Sequence, residues 1–262
     1  MNVKLKSSER AWRLATIAAL CALLPATASA SSVLVQIGGS PEDYESRLQT
    51  FTDGTPPVTR TGAGADETLS VSSVMLFPGF AMQESRPIFQ FDLSSLAGTD
   101  PAADILQSAT LRLSLLSVSD SPQFTLEAWG RNENLPGPVS QDASNAGAQF
   151  ASSAYARADA GGLDGIVETG VLEIDVTDFM RSRHEDWLGG GGDWVLFRLQ
   201  PDDPPSIADE PDTSFVFASA DHGMIDRRPV LSVSLIPEPG VALLAFAGLG
   251  MWAARRRLPL PE

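Results

Sequence analysis

Alternation of apolar and polar residues with a period of two is the feature that most narrows what this chain can fold into. Along 109–118, Leu111, Leu113 and Leu115 fall on one face while Arg112 and Ser114 fall on the other, as successive side chains do on an extended strand. Along 124–129, Phe124, Leu126 and Ala128 are set against Thr125, Glu127 and Trp129. Similar short runs occur at 33–37, 68–76, 87–92, 171–175, 193–199, 214–218 and 230–235, separated by Gly and Pro. Helical periodicity is scarce. Nine short strands with this punctuation predict an all-β chain built as an antiparallel β-sandwich.

One short helix interrupts the strands. Thr177 is placed to cap 178–187, Asp178 suits the positive helix end, and Met180, His184 and Trp187 recur at i, i+4, i+7. Glycines at 189–192 end it. Residues 130–170 are poor in large apolar side chains and rich in Ala, Gly, Ser and Asp, which predicts a long surface excursion.

Both ends carry export features. Lys4, Lys6, Arg10 and Arg13 precede an apolar run at 14–24, Pro25 breaks it, and Ala28, Ser29 and Ala30 form a small-residue cleavage site. Residues 1–30 therefore read as a signal peptide cut after Ala30. Cys21 is the single cysteine and lies inside this leader. Leu20 before it argues against a lipoprotein signal, so the mature chain has no cysteine and depends on its core, with or without a metal. At the other end, Pro237, Glu238 and Pro239 precede an uncharged apolar segment, 240–254, followed by Arg255, Arg256 and Arg257. As a helix that segment spans roughly 22 Å, short of the ~30 Å hydrocarbon core. The arginines would stay on the cytoplasmic side, leaving the body outside.

Between these ends, residues 31–236 hold eleven basic residues, all Arg, and thirty acidic ones, a formal charge of −19. Such a surface repels nucleic acid and anionic lipid. The acidic stretch with Asp202, Asp203, Asp209, Glu210 and Asp212 offers the hard oxygen ligands a structural Ca²⁺ uses, although its spacing matches no EF-hand and a solvated acidic loop is the simpler expectation. Catalytic sets are hard to assemble. Ser219, Asp221 and His222 are close in sequence, but neighbours in a strand point to opposite faces. Sugar stacking needs an exposed aromatic face, for which Trp129 and Tyr155 are the candidates, with Trp187 and Trp194 expected to be buried.

Two resemblances add to these readings. Pro237, Glu238 and Pro239, the apolar segment and the Arg cluster resemble the PEP-CTERM sorting signal of Gram-negative bacteria that make exopolysaccharide. That resemblance implies recognition by an exosortase, a membrane-embedded cysteine peptidase or transpeptidase, after passage through the export machinery. The transmembrane helix would anchor the chain in the inner membrane only as a sorting intermediate. In the body, Ile-Phe-Gln-Phe-Asp-Leu-Ser-Ser-Leu at 88–96, Ile-Leu-Gln-Ser-Ala-Thr-Leu-Arg-Leu at 105–113, Leu-Glu-Ile-Asp-Val-Thr-Asp at 172–178, and 228–233 are similar to the DNRLRE-type domain. This implies a jelly-roll-like sandwich of the carbohydrate-binding-module kind. The expectation is a non-enzymatic cell-surface or extracellular-matrix protein associated with exopolysaccharide. A carbohydrate-binding module and a glycan-cleaving enzyme are the alternatives.

Overall fold

A computed structural model describes residues 31–36, 43–51, 53, 55–61, 67–77, 81–98, 104–119, 125–139, 154–159, 168–202 and 213–237. The strands are β1 (Ser31–Gln36), β2 (Asp43–Phe51), β3 (Val58–Thr61), β4 (Thr68–Phe77), β5 (Ala81–Asp92), β6 (Asp104–Val118), β7 (Leu126–Arg131), β8 (Tyr155–Arg157), β9 (Gly170–Asp175), β10 (Trp194–Pro201), β11 (Thr213–Ala218) and β12 (Val230–Pro237), with one α-helix, α1 (Thr177–Leu188), after β9. Hydrogen bonding joins them into one sheet in the order β1-β12-β6-β11-β4-β5-β10-β7-β8, with β2 on β5, β3 on β2 and β9 on β6. Every pairing is antiparallel.

Two long strands make the sheet curl. A strand has two edges, and β2 follows β5 from Ala81 to Phe89 along one of them. β4 pairs at 81–85 and β10 at 88–92, so both must share the other edge. β6 behaves likewise, with β9 on one edge and β12 and β11 in succession on the other. Register shifts between Met75 and Phe77, Val216 and Phe217, and Ser234 and Leu235 sit in these shared ladders, where a bulge adds bend and twist. The result is a curled half-barrel of antiparallel sheet with one helix.

The core lies inside the curl. Leu111, Leu113 and Leu115 of β6 join Phe89 and Phe91 of β5, Phe197 and Leu199 of β10, and Leu126 and Ala128 of β7 in a single buried cluster. Arg112 and Trp129 stay off it, so the period-two reading of these strands holds. All nine expected strands overlap observed ones, with Ile37 and Phe124 outside the described residues. β2, β3 and β8 were not anticipated. β2 carries Asp43, Glu45, Arg47 and Gln49 among its residues, and β8 is only three residues long, so neither shows an apolar stripe.

The excursion expected at 130–170 is corrected in its described parts. Gly130 and Arg131 complete β7, Leu135 bridges Trp194, and the Val139 N–H donates to Gln90 Oε1 at 2.6 Å. Leu135 and Val139 thereby cover Tyr44, Ile88 and Leu196 on the outer face of the sheet.

The helix forms on its expected face, with Met180 and His184 buried and Trp187 packed against the core. Its start differs from expectation. Thr177 is the first helical residue rather than the cap, and its hydroxyl is committed elsewhere, donating to Asp175 Oδ1 at 2.5 Å and accepting the Ala109 N–H at 3.1 Å. Asp175 takes the Thr177 N–H instead, at 2.9 Å. Among the described residues no helix is long and apolar enough to cross a membrane. Residues Ser31–Glu238 form one compact unit; the expected leader, 1–30, and the tail from Glu238 onward lie outside the described residues.

Candidate functional site

Period-two geometry that sends Phe89, Phe197 and Ala128 inward sends their neighbours outward, yet much of that outer face is also buried. Glu84, Arg86 and Gln90 of β5, Arg198 and Gln200 of β10, and Glu127 of β7 form a polar layer there. Arg86 Nε meets Glu84 Oε1 at 2.7 Å. Arg86 Nη1 and Arg198 Nη2 both donate to Gln200 Oε1, at 3.4 and 2.5 Å. Burial, with Arg86 close by, lowers the Arg198 pKa to about 10. The Arg86 contact ties β5 to β10 from the outside, and Arg198 of β10 shares the same amide oxygen.

Tyr155 completes this layer. Its ring lies under Arg198 at 4.2 Å and under Arg131 at 5.5 Å. At 3% exposure it presents no stacking face to solvent, so the sugar-platform expectation for Tyr155 is corrected. Burial raises its pKa, and it raises that of the fully buried Tyr44 as well.

A hydrogen-bonded line leads from this layer to the open surface. Trp129 Nε1 donates to Glu127 Oε2 at 2.7 Å, Arg157 Nη1 meets Glu127 Oε1 at 2.9 Å, and Arg157 Nε meets Asp159 Oδ1 at 2.9 Å. Trp129 is therefore half-buried with its N–H already satisfied. Asp159 ends the line in a groove of about 530 Å³, where the end of β8 faces the end of β9 and the first turn of α1 across Gln107 and Ser108 of β6. Among the described residues β8 pairs only with β7 and β9 only with β6, so two outer strands of the sheet flank this opening.

The groove is polar and its groups are held in place. Arg181 Nη1 binds Asp178 Oδ1 at 2.8 Å, while its Nη2 and Nε donate to the Gln107 and Leu106 carbonyls at 3.0 and 3.4 Å. Hydrogen bonds from the Thr177 side chain, then from its N–H, keep the Asp175 pKa below the ordinary carboxylate value. Phe179 supplies an apolar wall, packed edge-on against Phe197 at 5.5 Å. Fixed guanidinium donors beside carboxylate acceptors suit a ligand rich in hydroxyl groups. No group of three or more His, Cys, Asp or Glu among the described residues could hold a metal ion.

The remaining sequence candidates separate from one another. Asp202 pins the end of β10 to the residue before β7, accepting the Thr125 N–H at 3.1 Å and donating its own N–H to the Thr125 carbonyl at 3.0 Å. Asp203, Asp209, Glu210 and Asp212 lie outside the described residues, as do Ala28, Ala30, Glu238, Pro239, Arg255, Arg256 and Arg257. Pro237 is the last residue of β12. Ser219, Asp221 and His222 lie in a turn after β11 rather than on a strand: Ser219 Oγ accepts the Asp221 N–H at 3.1 Å, and His222 Nδ1 accepts the Met224 N–H at 3.1 Å. Those bonds shape the turn. Arg157, Asp159 and Arg181 were missed from sequence; Arg157 ends the three-residue β8 and Asp159 follows it outside any strand, where no apolar alternation marks them.

No protein-family model matches the chain, and no curated protein matches it either.

Proposed function

We propose that this is an exported, non-enzymatic cell-surface or extracellular-matrix protein of a Gram-negative bacterium, sorted through its C-terminal tail and associated with exopolysaccharide. The observation that carries this reading is where the ladder begins and stops. Ser31, the residue after the expected leader cut, pairs with Leu235, and β12 ends at Pro237, the first residue of Pro-Glu-Pro. The two sequence signals thus border this unit in the sequence, one ending before Ser31 and the other beginning at Pro237. The body is read as a DNRLRE-type β-sandwich, a reading supported by the way β5 and β6 feed facing parts of the sheet into one cluster. On this reading the tail anchors the chain in the inner membrane until an exosortase processes it.

Truncation after Glu238 keeps all of β12 and removes the apolar segment and the arginines. Fractionation of cells expressing that variant should find the body released or mislocalised, with its melting temperature unchanged. The same compartment for truncated and full-length chains would overturn the sorting claim.

A further inference from the structure

We propose that the groove between β8, β9 and α1 is a binding site for neutral glycan, with Asp159 as its central acceptor. This rests on the reading of the body as a polysaccharide-associated protein, and it places the site away from the aromatic residues that sequence alone suggests.

Asp159 carries the argument. Its side chain is 3% exposed and lines the groove; Oδ1 is engaged by Arg157, while Oδ2 is buried and has no hydrogen-bond partner among the described residues. A buried acceptor left unsatisfied costs about 1–3 kcal/mol, a cost removed when a ligand hydroxyl supplies the donor. The surroundings fit that donor. Arg157 is fixed between Glu127 and Asp159, and Arg181 between Asp178 and the β6 carbonyls, so little ordering is needed on binding. A cavity of about 530 Å³ is of the size that holds small ligands. Phe179 gives the apolar wall that the C–H face of a sugar ring requires.

Charge selects the class of sugar. Arg157 and Arg181 face Asp159, Asp175 and Asp178, leaving the groove one negative charge in excess on a body that is itself strongly acidic. A polyuronate or sulfated glycan would be repelled. Among the described residues no group of three or more carboxylates could hold a metal ion.

The test uses the full-length chain in detergent, with dextran, mannan and polygalacturonate as probes in affinity electrophoresis. Binding to at least one neutral polymer, and none to polygalacturonate, is expected. Ser108→Trp fills the groove from an exposed position on β6 and should weaken that binding at least tenfold with the melting temperature unchanged. Asp159→Asn should weaken it as well. A preference for polygalacturonate, or no binding to any of the three, overturns the proposal. So does wild-type binding by both variants; if Trp129→Ala then abolishes binding, the polysaccharide association survives and the site lies on the outer face of β7. Localisation of the truncated chain tests the wider reading separately.

Discussion

The guanidinium of Arg198 lies 4.2 Å from the centre of the Tyr155 ring, linking β10 to the outermost strand β8 across β7. Arg131 of the intervening strand reaches the same ring at 5.5 Å. A cation over a desolvated ring contributes about 2 kcal/mol. Tyr155→Leu should therefore cost about 2–4 kcal/mol in urea unfolding, whereas Tyr155→Phe, which keeps the ring and loses a hydrogen bond to Arg131, should cost about 1 kcal/mol. Equal losses for the two variants would show that the ring contact contributes nothing.

The chain has two tyrosines, and burial raises the pKa of both. Below about pH 10 both are neutral whether the chain is folded or not, so they leave stability unchanged there. Above it the unfolded chain ionises first, and stability falls as pH rises. Phenolate absorbance near 295 nm should stay absent until alkaline unfolding, then appear for both residues together. A tyrosine titrating near pH 10 while circular dichroism remains native would contradict its burial.

Gly130 sits inside β7 because the Phe179 ring occupies the space where a side chain would begin. Glycine inside a strand often marks such a close approach. Gly130→Ala must push Phe179 away from its contact with Phe197, at an expected cost of about 1–3 kcal/mol. The double variant Gly130→Ala with Phe179→Ala should cost less than the two single changes added together. Strict additivity in the cycle would remove this explanation.

Asp202 is held by Thr125, a structural role that needs no metal. With the acidic stretch read as a solvated loop, EDTA should leave the melting temperature unchanged. A fall of several degrees, restored by added Ca²⁺, would show that the ion stabilises the fold, with Asp202, Asp203, Asp209, Glu210 and Asp212 as the residues to substitute next.

The strands were legible where apolar residues mark one face, even in β5 and β10, whose outer faces are buried as well. Leu111, Leu113 and Leu115 alternate with polar residues because β6 has the core on one side and an exposed Arg112 on the other. β2 escaped notice because Asp43, Glu45 and Ser46 are buried polar residues, which read in sequence like a loop. The helix face was legible from Met180 and His184, but its cap was not, since Asp175 and the edge of β6 compete for Thr177. The groove was not legible at all. Arg157, Asp159, Asp175 and Arg181 come from separate segments, and no local pattern ties the first pair to the second.

What the sequence by itself determined is the class of fold: local alternation and Gly and Pro breaks select antiparallel strands, because side-chain period is a property of a few consecutive residues. It also set the expectations for the leader and the tail, which rest on composition along a line. Only the tertiary structure decided that the outer face is buried too, with Arg86 and Arg198 meeting at Gln200, and that Asp159 faces the start of α1. Those relationships depend on how β5 and β6 share their edges and curl the sheet, and pairing between distant segments leaves no period to read.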